Sequence, residues 1–167
     1  MRFKNYLPYV FLLFSASVLV SCDDDDDDTA PSKTELLTTA QWKGEQVLLN
    51  NINVTAIPGI GSNAGTFQTL LLTFRKDNTF TADFEAEGQP QTIGGNWRFN
   101  DTETAIILES LGELEMERLT TTNLDASTML SADNLTLIGQ VLDIDSRLID
   151  AFSGGNPVKA EMRFVKK

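Results

Sequence analysis

From residue 79 the chain alternates between apolar and polar positions. Phe80, Ala82, Phe84 and Ala86 fall on one side of an extended segment, with Thr79, Thr81, Asp83 and Glu85 on the other. Successive side chains of a strand point to opposite faces, so a period of two marks a strand with one buried face. The rhythm returns in Ile93, Gly95, Trp97 and Phe99, and in Leu114 and Met116 set between Glu113, Glu115 and Glu117. It returns again in Leu124, Ala126, Thr128 and Leu130, and in Val158, Ala160, Met162 and Phe164 against Lys159, Glu161 and Arg163. Further strands are expected over 42–49, 68–75 and 104–109. Residues 34–39 read as one helical turn with Leu36 and Leu37 inward. Residues 50–66, with Pro58, Gly59, Gly61 and Gly65, read as a long loop. Turn-forming residues at Asp77-Asn78, 88–90, Asn100-Asp101, Leu111-Gly112 and 120–123 separate the strands.

One stretch carries two patterns. Residues 135–138 suit a short strand. Leu137, Val141, Ile144, Leu148 and Phe152 recur at spacings of four, three, four and four, which is a helical stripe. Gly154-Gly155 and Pro157 then form a stop signal. The expectation is a strand over 135–138 and a short helix over 141–152.

Eight or nine strands with one apolar face each pose an edge problem. An open sheet leaves two unpaired edges, and closure into an up-and-down barrel removes them. No sequence repeat points to a propeller or solenoid. Eight strands enclose an interior that side chains fill, or that holds one small ligand.

Several segments resemble those of lipocalin-like lipoproteins. Leu36-Leu37-Thr38 with Trp42 and Gly44 resembles their first strand. Thr73-Phe74-x-x-Asp77-x-Thr79-Phe80 resembles their second and third strands, Gly95-x-Trp97-x-Phe99 their fourth, and Asp133-x-Leu135-x-Leu137 a later one. The resemblance covers 33–167. It departs from the family where Ala40-Gln41-Trp42 stands in place of Gly-x-Trp. It implies an all-β, lipocalin-like antiparallel barrel of eight or nine strands, with one short helix near the C-terminus. It implies a shape more than an activity.

The first thirty residues read as an address. Arg2 and Lys4 precede an apolar run over 6–20. That run is shorter than the roughly 20 residues of a spanning helix. It ends in Leu19-Val20-Ser21-Cys22, which resembles the bacterial lipobox: an aliphatic residue, a tolerant position, a small residue and a cysteine. The resemblance implies cleavage before Cys22 by signal peptidase II and acylation of that cysteine. The bland alternative is an ordinary signal peptide with a chance cysteine. Asp23, Asp24, Asp25, Asp26, Asp27 and Asp28 follow at once. Like charges keep a tether extended. The run also resembles the export signal of surface lipoproteins of Bacteroidetes-type bacteria. The expected organisation is a signal peptide over 1–21, a lipidated cysteine and acidic tether over 22–32, and a barrel over 33–167. The expected location is the outer membrane, lipid-anchored and at the cell surface, with the periplasmic face as the alternative.

Composition narrows the chemistry. There is no histidine and one cysteine among 167 residues, and the formal charge is −11. An internal disulfide, a Cys/His zinc site and any histidine-based triad are excluded. The acidic balance argues against nucleic acid. Glu113, Glu115 and Glu117 read as the solvated face of a strand. Asp143, Asp145 and Asp150 lack the glycine and bidentate glutamate of a calcium loop. The glycine spacing over 59–65 fits neither nucleotide fingerprint. No Ser-x-x-Lys supports Ser–Lys chemistry. No enzyme activity, metal or cofactor is expected.

The interior remains. Phe74, Phe80, Phe84, Trp97, Phe99, Met116, Met162 and Phe164 are large inward candidates, and Ala82, Ala86, Gly95, Ala126 and Ala160 are small ones. Trp42 is expected to plug the closed end. Ile57, Pro58 and Ile60 are expected at the rim, as a lid. Two readings stay open. Either the barrel carries a small apolar or amphipathic ligand on those aromatics, or it is solid and its outer surface binds a protein or glycan partner as an accessory or inhibitory module.

Overall fold

A computed structural model describes residues 30–57, 61–109, 111–131, 154 and 156–167. The side chains of 61–64 lie outside that description, as do the strand and helix expected over 135–152. Residues 31–167 form one compact unit.

The described elements run α1 (Lys33–Thr38), β1 (Gln41–Leu49), β2 (Ile52–Asn53), a 3-10 turn (Val54–Ala56) and α2 (Gly61–Thr69). Then follow β3 (Leu71–Phe74), β4 (Thr79–Ala86), β5 (Gln89–Phe99), β6 (Ala105–Leu108), β7 (Gly112–Leu119), β8 (Asn123–Leu130) and β9 (Val158–Lys166). Every strand pairing is antiparallel, and each of β3 to β9 pairs with its neighbour in sequence. β1 pairs with β3 on one side and β9 on the other. Eight strands therefore close into an up-and-down barrel, with β2 as a ninth strand beside the end of β1. This is the antiparallel up-and-down barrel expected from the alternation.

The register sets the two ends of the barrel. Gln41 pairs with Thr73, and Trp42 with Lys166. The turns after β3, β5 and β7 share that end with α1. Ser32 caps α1: its hydroxyl accepts from the Glu35 amide, and the Glu35 carboxylate accepts from the Ser32 amide, the reciprocal pattern of a capping box. α1 packs on both β3 and β7. These strands stand four places apart in a ring of eight, so α1 crosses the end and closes it. Leu37 of α1 and Trp42 of β1 are fully buried there.

Two bulges adjust the wall. Between Gly44 and Gln46 the β1–β9 register shifts by one residue, and Glu45 is the extra residue. Between Met116 and Arg118 the β7–β8 register shifts likewise, and Glu117 is extra. The second bulge turns two consecutive side chains outward. Arg118 meets Asp125 at 2.8 Å, and Glu117 accepts from Ser127 and Lys159, both at 2.8 Å.

The structure differs from the sequence reading over 50–75. The expected loop contains β2, the 3-10 turn and α2, and β3 begins at Leu71 rather than residue 68. Thr69 and Leu70 make other bonds: the Glu85 amide donates to the Thr69 hydroxyl, and the Gly44 amide to the Leu70 carbonyl. β5 also starts at Gln89, inside the expected turn over 88–90. Its bonding phase runs from the Trp97 amide, which donates to the Asn78 carbonyl. Counting back in twos, Pro90 falls where an amide would face away from β4, so its missing N–H costs no ladder bond.

Candidate functional site

The inward side chains divide into a sealed half and a partly open strip. At the closed end, Phe74, Phe80 and Trp97 are 1–3% exposed. Their rings pack at centroid distances of 6.3 Å (Phe74–Phe80) and 5.6 Å (Phe74–Trp97), the latter edge-on. Phe99 meets Trp97 edge-on at 5.3 Å. Edge-to-face packing suits the ring quadrupoles. The Trp97 indole donates to the Arg75 carbonyl at 3.0 Å, which fixes its orientation. Met162 and Phe164 are equally buried on β9. Of the eight inward candidates, Phe74, Phe80, Trp97, Met162 and Phe164 are thus sealed, while Phe84, Phe99 and Met116 are half-buried.

Phe84 lies toward the end away from α1. It shares the inward face of β4 with Phe80 and Ala82, and Ala82 pairs with Ile93 of β5. Phe84 and Ile93 both pack on the core yet keep part of their surface in solvent. The reason is topological. β5 pairs with β6 only through Trp97–Phe99, so the β4–β5 hairpin runs on past the β6–β7 hairpin. An inward-facing apolar strip is left half-covered there.

α2 stands beside this strip. Of its described side chains only Phe67 is fully buried. The Phe67 ring sits on the inward face of the barrel wall, 5.3 Å from the Phe164 ring. Gly44 pairs with Phe164 across β1 and β9. A Cβ at Gly44 would overlap the Phe67 carbonyl oxygen and lie 2.9 Å from its ring. The absent side chain is the condition for α2 to dock. Gly95 plays a smaller version of the same part, since a Cβ there would stand 3.1 Å from the Phe80 ring.

The sequence reading placed neither Phe67 nor Ile93 among the candidates. Phe67 had one available signal: it is the lone aromatic in an otherwise Gly-, Ser-, Asn- and Thr-rich stretch. Ile57, expected at the rim, is half-buried against the core beside the 3-10 turn. Pro58 and Ile60 lie outside the described residues, as do Cys22 and Asp23 to Asp28.

The outer wall carries the charge. Lys159 bridges Glu117 at 2.8 Å and Glu161 at 3.4 Å. Hydrogen bonds from Lys159 and Ser127 hold the Glu117 carboxyl below its ordinary range, and the bond to Glu117 raises Lys159. Glu113 and Glu115 border a hollow of about 150 Å³ beside Met129, which is 52% exposed. Among the described residues no cluster of three or more His, Cys, Asp or Glu is placed to hold a metal. No described helix is long and apolar enough to cross a membrane.

No protein-family profile matches the sequence, and no curated protein matches it. Solved structures do. Bovine odorant-binding protein complexed with its natural ligand, the protein from bovine nasal mucosa, and its complex with undecanal each align at a TM-score of 0.45. Each is 16% identical, over 82% of this chain and 74% of the other.

Proposed function

We propose that this chain is a lipid-anchored lipoprotein of the outer membrane, displayed at the cell surface. In this reading its barrel carries one small apolar or amphipathic molecule without reacting with it. The order of charge, apolar run, small residue and lone cysteine at Cys22 supports the anchor, and the aspartates that follow support surface export. One observation carries the carrier reading. Phe84 and Ile93 face inward on a closed barrel and are still half-open to solvent, while the inward aromatics nearer α1 are sealed. Apolar surface that faces inward and stays partly wet is what a small apolar molecule covers with gain.

Native mass spectrometry on the protein extracted gently from its own host tests this. The expected result is a reproducible added mass that is lost on denaturation and depleted in Phe84→Ala. An unliganded mass for both forms counts against the carrier.

The alternative, a surface that binds a protein or glycan partner, is favoured by Met129. A large apolar side chain stands exposed there beside Glu113, Glu115 and Lys159. Crosslinking on intact cells from a cysteine at position 129 distinguishes it by capturing a defined neighbour.

A further inference from the structure

Phe67 occupies barrel space that the wall has been cut back to admit. Gly44 lies one alternation from the fully buried Trp42, and its bare Cα is covered by the Phe67 carbonyl and ring. Around that position the inward residues are a mixture of one ring and small groups. Phe164 pairs with Gly44, and Ala126 and Val47 flank Met162. Ala82 pairs with Leu72, which pairs with Trp42 of β1.

The element that delivers Phe67 is weak by itself. Gly61-Ser62-Asn63-Ala64-Gly65-Thr66-Phe67-Gln68-Thr69 contains two glycines and two β-branched residues, all poor helix formers. Nine residues are too few for an isolated helix to persist in water. Two hydrogen bonds tie the C-terminal end of α2 to the wall. The Leu70 carbonyl accepts from Gly44 at 2.9 Å, and the Thr69 hydroxyl from the Glu85 amide at 2.9 Å. Among its described side chains one buried ring, Phe67, seats this short helix on the wall.

We infer that α2 is a displaceable plug, and that Phe67 holds the place taken by the apolar end of a ligand about as bulky as a phenyl ring. This rests on the carrier reading. A molecule settling on Phe84 and Ile93 meets α2 next. When Phe67 leaves, the apolar surface of Phe164 beside Gly44 is uncovered. Ligand and plug therefore exclude each other, and the apparent affinity is reduced by the fraction of molecules with the plug seated.

The test uses chain 22–167 with Cys22→Ser, so that no acyl chain or detergent competes. The probe is N-phenyl-1-naphthylamine, titrated by fluorescence, with hydrogen exchange read over 61–69. Two variants unseat the plug by different routes. Phe67→Ala removes the ring, and Gly44→Ala adds the Cβ that overlaps the Phe67 carbonyl while leaving the ring present. The expected result is that the probe speeds exchange over 61–69 in the unaltered chain, and that both variants bind it about tenfold tighter. If Phe67→Ala fails to fold, Gly44→Ala carries the test. Binding by the unaltered chain with unchanged exchange, and no tightening in the variants, overturns the plug and leaves the carrier standing. Weaker binding in the variants makes Phe67 a wall and also overturns the plug. No binding by any of the three chains overturns both readings.

Discussion

The indole Nε1 of Trp42 donates to the carbonyl oxygen of Leu37 at 2.9 Å, inside a region where both residues are fully buried. This bond ties the first strand to the helix that crosses the barrel end. Both groups are buried, so loss of the donor leaves a buried acceptor unmatched. Trp42→Phe keeps most of the ring and is expected to lose about 1–3 kcal/mol. Trp42→Ala also leaves a cavity and is expected to lose about 3–5 kcal/mol. Urea denaturation measures both. A Trp42→Phe variant as stable as the parent would show that α1 is held by other contacts.

The two halves of the inward face separate stability from binding. Phe74→Ala removes a sealed ring from the Phe80–Trp97 cluster and is expected to cost about 3–5 kcal/mol. Phe84→Ala removes a half-wet ring and is expected to cost about 1–2 kcal/mol, because less apolar area returns to water. It is also expected to lose the molecule that the proposed carrier function places there. Thermal melts and native mass spectra on the same preparations separate these effects.

Asn78 holds a left-handed φ of +65° in the turn between β3 and β4. The Asp77 carboxylate locks that turn by accepting from the Thr79 amide at 3.0 Å and the Thr79 hydroxyl at 2.6 Å. Asn78→Gly is expected to be neutral within about 0.5 kcal/mol. Asn78→Val places a branched side chain in a conformation it resists and is expected to cost about 1–2 kcal/mol. Equal melting points for the two variants would refute the argument from φ.

The Glu117–Lys159 pair gives a pH signature of known sign. The folded carboxyl is lowered, so its contribution is complete above the ordinary unfolded carboxylate value and fades as pH falls through the folded one. Lys159 is raised, so its contribution is complete below the ordinary lysine value and is lost as pH rises through the folded one. The stability difference between the parent and Glu117→Gln is therefore largest between roughly pH 5 and 10 and shrinks on both sides. Its size is at most about 1 kcal/mol, because the two side chains are 41% and 46% exposed and water screens them. Denaturation midpoints across that range check it.

Anchoring is tested at one atom. Cys22→Ala removes the thiol that would carry the diacylglycerol, and radiolabelled palmitate is expected to leave the protein band entirely. The protein is then expected in the soluble fraction, since no acyl chain remains to bury in the bilayer.

How far the sequence could be read depends on the period of each element. Phe80, Ala82 and Phe84 were legible as β4 because an alternating strand with one buried face repeats every two residues. Leu70, Leu72 and Phe74 alternate as well, and that alternation hid the helix that ends at Thr69. α2 shows no stripe at the helical period. It has one buried ring among glycines and threonines, and its position is settled by contacts with Gly44 and Glu85 that are distant in sequence. Gly44 itself was visible only as part of a family-like motif, because the reason for a missing Cβ is a neighbour that local sequence does not name. Pro90 gave a turn signal and stands in a strand, because only the partner's register reveals which way its nitrogen faces. The candidate aromatics were found by alternation, but alternation does not separate Phe84 from Phe80. Exposure along one face depends on how far the β4–β5 hairpin outruns its neighbour.

The closing seam joins the first strand to the last. Trp42 through Leu49 lie against Ala160 through Lys166, so the partner that completes β1 is the final strand of the chain. A ribosome that has reached residue 157 has made every other wall of the barrel and still holds a curled sheet with two raw edges. The ring cannot shut early. Until β9 is made the polypeptide stays open, threadable and dependent on whatever shields its edges, and Val158–Lys166 act as the clasp.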